Sequence, residues 1–144
     1  MSSAVIDASV VLKWVLDEED SDIAASLADW ELAAPELLLA ECANVLWTKV
    51  RKKELSPKEV MERLQLLQSA PVETVSLEAL VSEATRLALQ LSHPVYDCIY
   101  LALAAQRDLP LVTADRGLVD AVRENQGEPT GRVIFLKELA RRDS

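Results

Sequence analysis

Asp7, Glu41, Asp97 and Asp115 are carboxylates that each stand alone in an apolar run, and they are the residues of this chain most able to do chemistry. Asp7 is the only charged residue between Met1 and Leu12. Glu41 is the only charge from Leu37 to Trp47, with no lysine or arginine one helical turn away. A carboxylate taken out of water without a partner is costly and tends to protonate instead. Singly, each acid has a plain alternative. Asp7 and Asp115 read equally as N-caps, Asp97 as a first-turn acid, and Glu41 as part of a narrow polar stripe with Asn44 and Thr48. Jointly they imply more. Two carboxylates about 4 Å apart repel by roughly 4 kcal/mol at an effective dielectric of 20. Several converging on one crevice therefore require a cation between them. All-oxygen donors, without neighbouring imidazole or thiolate ligands, favour Mg²⁺ or Mn²⁺ over zinc. An ion held in this way activates water and binds a phosphate oxygen, which is the chemistry of phosphoryl or phosphodiester groups.

The elements around the acids must bring them together. Ala4 to Ile6 reads as a buried strand ending at Asp7, and Ser9 to Leu16 as a short helix with Val10, Val11, Trp14 and Val15 inward. A helix with Ile23, Leu27 and Trp30 on one face follows, then a strand over Leu32 to Ala34. Glu36 to Lys53 reads as one long helix whose basic C-terminal end, Lys49 to Lys53, suits the helix dipole or a phosphate. Ser56, Pro57 and Glu59 form an N-terminal box for a helix to Gln68. A third strand spans Pro71 to Val75. The next helix runs from Ser76 to Leu91, with Ser76 as cap and Leu77, Leu80, Val81, Ala84, Leu87 and Leu91 inward. Another helix covers Val95 to Arg107, then come a strand at Leu111 to Thr113, a helix at Arg116 to Glu124, a strand at Val133 to Phe135 and a terminal helical turn.

Short apolar strands alternating with helices imply an α/β fold, a parallel five-stranded sheet covered on both faces. The usual order, 3-2-1-4-5, makes the first and fourth strands neighbours across the reversal, where such sheets bind ligands at their carboxyl ends. Asp7 and Asp115 follow those two strands.

The bulk numbers bound the function. The chain has 144 residues, half of them apolar and 27% charged, which suits one globular domain over residues 1–144. The net charge of -9 opposes simple nucleic-acid binding driven by counterion release. Bound cations would neutralise part of that excess. A single histidine, His93, excludes a two-histidine ribonuclease and a His-rich zinc site, and it reads only as the residue before a helix. Cys42 and Cys98 lack metal-ligand spacing and read as core fillers, while Trp14, Trp30 and Trp47 read as packing. No signal-peptide pattern or bilayer-length apolar run is present, so the expectation is a cytoplasmic protein without membrane contact. The acids of Asp17 to Asp22 read as a solvated loop at a helix N-terminus.

Four stretches resemble the motifs of PIN-domain nucleases in order and spacing, over nearly the whole chain. They are Val5-Ile6-Asp7-Ala8-Ser9, Glu41-Cys42-Ala43-Asn44-Val45-Leu46, Tyr96-Asp97-Cys98-Ile99-Tyr100-Leu101-Ala102-Leu103-Ala104 and Leu111-Val112-Thr113-Ala114-Asp115-Arg116. The likeness is to the small VapC-type toxins of toxin–antitoxin pairs. The resemblance implies a PIN-like three-layer sandwich and a Mg²⁺- or Mn²⁺-dependent endoribonuclease leaving a 5′-phosphate and a 3′-hydroxyl. It also implies an RNA substrate, a cognate antitoxin and a homodimer. Carried over by position, Asp7, Glu41, Asp97 and Asp115 form the catalytic cluster, with Asp7, Asp97 and Asp115 as metal ligands. Ser9, Asn44 and Thr113 are the polar support. The apolar faces of Leu37 to Val50 and Val60 to Leu67 exceed one core contact and suggest a dimer seam or antitoxin groove.

Two rivals remain. A receiver-type phosphoacceptor domain shares the architecture, and Thr113 and Lys137 suit it, but the third strand ends at Ser76 without an acceptor aspartate. A PIN-like scaffold that binds a partner without catalysis fits the same residues.

Overall fold

The computed structural model describes residues 2–125 and 132–142. Five parallel strands form one sheet in the order β3-β2-β1-β4-β5. They are β1 (Ser3–Ile6), β2 (Glu31–Pro35), β3 (Val72–Val75), β4 (Leu111–Thr113) and β5 (Val133–Phe135). The α-helices are α1 (Ala8–Val11), α2 (Ser21–Ala25), α3 (Leu37–Arg51), α4 (Pro57–Gln68), α5 (Val81–Leu91), α6 (Val95–Arg107), α7 (Arg116–Glu124) and α8 (Leu136–Arg142). The expected α/β sheet and its strand order are therefore present.

Strand β1 is central because Ala4, Val5 and Ile6 are wholly apolar and fully buried. A strand covered on both faces has no use for alternation. Register does the rest. Val5 pairs with Leu111 and Ile6 with Val112, so the next residue on each strand, Asp7 and Thr113, emerges side by side. Helix α6 is buried at every position from Cys98 to Ala104 and packs on α5 and against β1, β2 and β4. Helix α3 packs against α1, α4 and β2. These two helices carry Asp97 and Glu41 to the sheet.

Five local expectations differ from what is found, the first being the helix over Ser9 to Leu16, which is α1 followed by a 3₁₀ turn at Leu12–Trp14. The segment after Ser76 opens with a 3₁₀ turn at Leu77–Ala79, α5 begins only at Val81, and the Ser76 side chain caps nothing. Val81 consequently faces outward rather than inward. The helix expected through Ile23 and Trp30 is α2 followed by a 3₁₀ turn, Ser26–Asp29. Strand β3 is half exposed, not buried, because it lies at the sheet edge. Its Glu73 holds Arg107 at 2.6 Å, a charge that blunts the edge against further strand pairing. Trp47 is 53% exposed with Arg51 over its ring at 5.2 Å, so it is not core packing.

The box at the start of α4 is complete. Ser56 Oγ accepts from Glu59 N–H, and the Glu59 carboxylate accepts from Ser56 N–H. In urea unfolding, Ser56→Ala is expected to cost about 1 kcal/mol. Leu101→Ala, in the fully buried stretch of α6, is expected to cost about 2–5 kcal/mol. A smaller loss for Leu101 than for Ser56 would contradict the account of α6 as the centre of the core.

Candidate active site

Asp7 leaves β1 in an extended conformation and caps α1, its carboxylate accepting from the Val10 N–H at 3.4 Å. It is only 7% exposed. Ser9 Oγ donates to Asp7 Oδ1 at 2.6 Å, and Thr113 Oγ1 donates to Asp7 Oδ2 at 2.5 Å. Each hydroxyl in turn accepts a backbone N–H from the end of β4: Ala114 N donates to Ser9 Oγ, and Asp115 N to Thr113 Oγ1. The two strand-to-helix corners are thus sewn together through one carboxylate. Burial pushes the Asp7 carboxyl up from 3.8 to about 6. The Ser9 and Thr113 hydroxyls and the Val10 N–H oppose that rise, while the charge of Asp97 adds to it.

Glu41 projects from α3 and is partly buried. Sequence reasoning found no partner for it, but Tyr100, two-thirds of the chain away from the N-terminus, supplies one. The Tyr100 hydroxyl donates to Glu41 Oε1 at 2.6 Å. Burial raises the Glu41 carboxyl above its usual range, the phenol opposes the shift, and Asp97 adds to it. Burial first, then Glu41, pushes the Tyr100 phenol far up, so it remains a donor.

Asp97 lies in the first turn of α6, and its Oδ2 is 2.7 Å from His93 Nε2. His93 therefore does more than precede a helix. Its spacing of four from Asp97 was visible in the sequence, whereas the Tyr100–Glu41 pair spans 59 residues and was not. Asp115 is exposed and caps α7 through Oδ1, which accepts from Leu118 N–H at 3.3 Å. It joins the others by way of Thr113, not by direct contact. Asn44, one turn beyond Glu41, lines an open groove of about 350 Å³ with Ala8, Leu37, Ala40, Glu41, Val45 and Tyr96. No hydrogen bond ties it to the acids among the described residues.

Asp97 thus lies within electrostatic reach of both Asp7 and Glu41, and among the described residues no lysine or arginine pairs with any of the three. They do not form a preassembled cage of three or more ligands among the described residues. The donors are carboxylate oxygens only. Cys42 and Cys98 are buried next to two of them in sequence, and burial raises their thiols to about 12 and about 11. This donor set fits a hard divalent ion that keeps several of its own waters.

The PIN domain family matches residues 4–124. The chain belongs to the PIN domain family. Within it the likeness is to VapC-type toxin ribonucleases. Ribonuclease VapC3 of Pyrobaculum aerophilum is 32% identical over 120 residues, covering 81% of this chain and 92% of that protein. The crystal structure of PAE2754 from the same organism superposes with a TM-score of 0.67 at 21% identity, over 97% of this chain and 90% of that one. VapBC2 from Rickettsia felis, bound to a DNA fragment from its promoter, gives a TM-score of 0.63 at 13% identity, over 92% and 98%. At such identities the structures share the PIN fold.

The raised Asp7 carboxyl gives this PIN domain a defined pH response. The folded state holds the Asp7 proton more tightly than the unfolded chain does. That stabilising contribution is complete below the ordinary value of 3.8 and is lost as the pH rises through about 6. In chelator, Asp7→Asn is expected to be more stable than wild type at pH 7, by up to about 3 kcal/mol. The difference should shrink towards pH 4. Denaturant melts at both pH values check this, and a pH-independent difference would contradict it.

Proposed function

We propose that this PIN domain is a Mg²⁺- or Mn²⁺-dependent endoribonuclease, the toxin of a toxin–antitoxin pair, with Asp7, Glu41, Asp97 and Asp115 as its catalytic cluster. The observation that carries the reading is Asp7 itself: a carboxylate that is nearly fully buried, feels the charge of Asp97, and has no cationic partner among the described residues. Such an arrangement is electrostatically unsatisfied until a cation arrives. Asp7 and Asp97 would hold the ion, with Asp115 beside them and Ser9 and Thr113 fixing Asp7. Bound there, a divalent ion lowers the pKa of water and offsets charge on the phosphate oxygens. Glu41, its carboxyl raised above the ordinary value by burial, is suited to accept the proton of the attacking water. The new bond joins the water oxygen to phosphorus and the bond to the 3′ oxygen breaks, which leaves a 5′-phosphate and a 3′-hydroxyl once solvent protonates the latter.

Most cations are occupied. Lys13, Lys49, Lys58, Arg63, Arg86, Arg107, Arg123 and Lys137 each hold a carboxylate, which leaves Arg51, Lys52, Lys53, Arg116 and Arg132 among the described residues for a phosphate backbone. Arg116 differs. It follows Asp115 at the start of α7, stacks on Phe135 at 4.2 Å from the ring centroid, and has no carboxylate partner among the described residues. It is the residue we assign to the RNA backbone. Asn44, in the groove beside Glu41, would face the substrate rather than brace the acids. Exposed Trp47, Met61 and Leu66 on α3 and α4 offer apolar surface for a second copy or the antitoxin. No helix among the described residues is long and apolar enough to cross a membrane, and the free thiols suit a reducing cytoplasm.

Purified protein is expected to cleave RNA with Mn²⁺ and to stop with chelator, and Asp7→Asn is expected to be inactive under both conditions. RNA that survives equally in every case would leave the non-catalytic scaffold as the correct reading. Arg116→Ala is expected to raise KM for RNA and to lower the slope of log affinity against log salt by about one. An unchanged slope would remove Arg116 from the interface.

A further inference from the structure

We propose that His93 and Tyr100 are positioning residues that hold Asp97 and Glu41, each by one oxygen, so that the opposite oxygen is presented to a divalent ion. The inference rests on the nuclease reading but adds two residues to it.

Both donors are rigid. His93 follows Ser92, which closes α5 in a left-handed conformation at φ 52°, and its own N–H donates to Ala88 O at 3.2 Å. Pro94 then fixes the entry to α6. The His93 carbonyl accepts the Cys98 thiol at 3.9 Å. The His93 backbone is therefore anchored to the end of one helix and the first turn of the next. Tyr100 is 1% exposed and sits one turn beyond Asp97 on α6. One helix thus carries an acid of the cluster and, three residues on, the group that holds another.

Each acid is held in the same manner. A carboxylate turns easily about its last torsion, where the preferred angles are broad. His93 Nε2–H donating to Asp97 Oδ2 stops that rotation, and so does the Tyr100 hydroxyl donating to Glu41 Oε1. Asp97 Oδ1 and Glu41 Oε2 accept no hydrogen bond among the described residues. The fixing groups are an imidazole and a phenol, not lysine or arginine. A cationic side chain would orient the acids equally well, but its charge would compete with the ion for them. Asp7 is likewise held by uncharged donors, the hydroxyls of Ser9 and Thr113, but through both of its oxygens.

Outer-shell partners of metal ligands are commonly worth ten- to hundred-fold in affinity. The test is Mn²⁺ binding, read by electron paramagnetic resonance of the free ion, alongside thermal melts in chelator. His93→Ala and Tyr100→Phe are expected to weaken Mn²⁺ binding about ten- to hundred-fold, with His93→Ala melting in chelator close to wild type and Tyr100→Phe melting lower but still cooperatively, since it leaves Glu41 without its partner. His93→Gln, whose amide nitrogen can reach the position of Nε2, is expected to recover most of the loss. At saturating Mn²⁺ both weakened variants should regain most of their kcat on RNA. Wild-type Mn²⁺ affinity in His93→Ala and Tyr100→Phe would overturn the positioning role and leave the nuclease reading intact. Weakened binding that tracks a collapsed chelator melt, with no recovery by His93→Gln, would also overturn it. Absence of Mn²⁺ binding by the wild type would overturn both.

Discussion

The structure depends on one awkward placement: a carboxylate at the end of a buried central strand. Asp7 cannot move into solvent, because Ile6 before it and Val10 and Val11 after it are locked in the core. Its charge must therefore be accommodated where it stands. The Ser9 and Thr113 hydroxyls provide hydrogen bonds without opposite charge, and each then accepts a backbone N–H from the corner after β4. The same contacts that make Asp7 tolerable therefore fix the relative position of two adjacent strand ends. Burial nonetheless prevails over hydrogen bonding, which is why the carboxyl ends near 6 rather than below its ordinary value.

From this point the topology constrains everything else. In the order 3-2-1-4-5 the crossover direction reverses between β1 and β4, and the crevice opens beyond their carboxyl ends. Asp7 and Asp115 come from those two strands. Glu41 and Asp97 have to come from helices, so α3 and α6 must lie close enough to touch, and they do so through the Tyr100 hydroxyl. That contact serves the fold as well as the site. It satisfies a buried phenol and a partly buried carboxylate in one bond, where either alone would carry a desolvation cost.

Much of this was legible in the residues. Uniformly apolar strands separated by helical periods indicate a covered parallel sheet, and Glu41 announced itself as a charge that no local rule explained. What escaped was long-range. No periodicity pairs Tyr100 with Glu41, and the eventual edge position of β3 exposes residues that strand composition alone would have buried. Val81 was misplaced because a 3₁₀ turn delays α5, which rotates the helical phase. Trp47 looked like packing because aromatic residues on a long helix usually are. His93 reads as a simple lead-in because Pro94 follows it, yet Pro94 is the N-cap of α6 and the His93 ring reaches Asp97 in the first turn.

The acidic balance of the chain takes on a different meaning beside this geometry. A protein of net charge -9 that used its lysines and arginines to neutralise its own core acids would have a comfortable fold and no chemistry. Here the cations are spent at the periphery: Lys137 on Glu19 and Asp20, Arg107 on the sheet edge, Arg86 on its own helix. The three acids at the centre receive hydroxyl, phenol, imidazole and backbone N–H donors, and among the described residues no lysine or arginine. That segregation keeps the central carboxylates ordered while leaving their negative charge uncompensated. The stability given up at Asp7 is the condition for a strong affinity towards whatever cation enters, since an ion bound to the folded state alone returns that stability as binding.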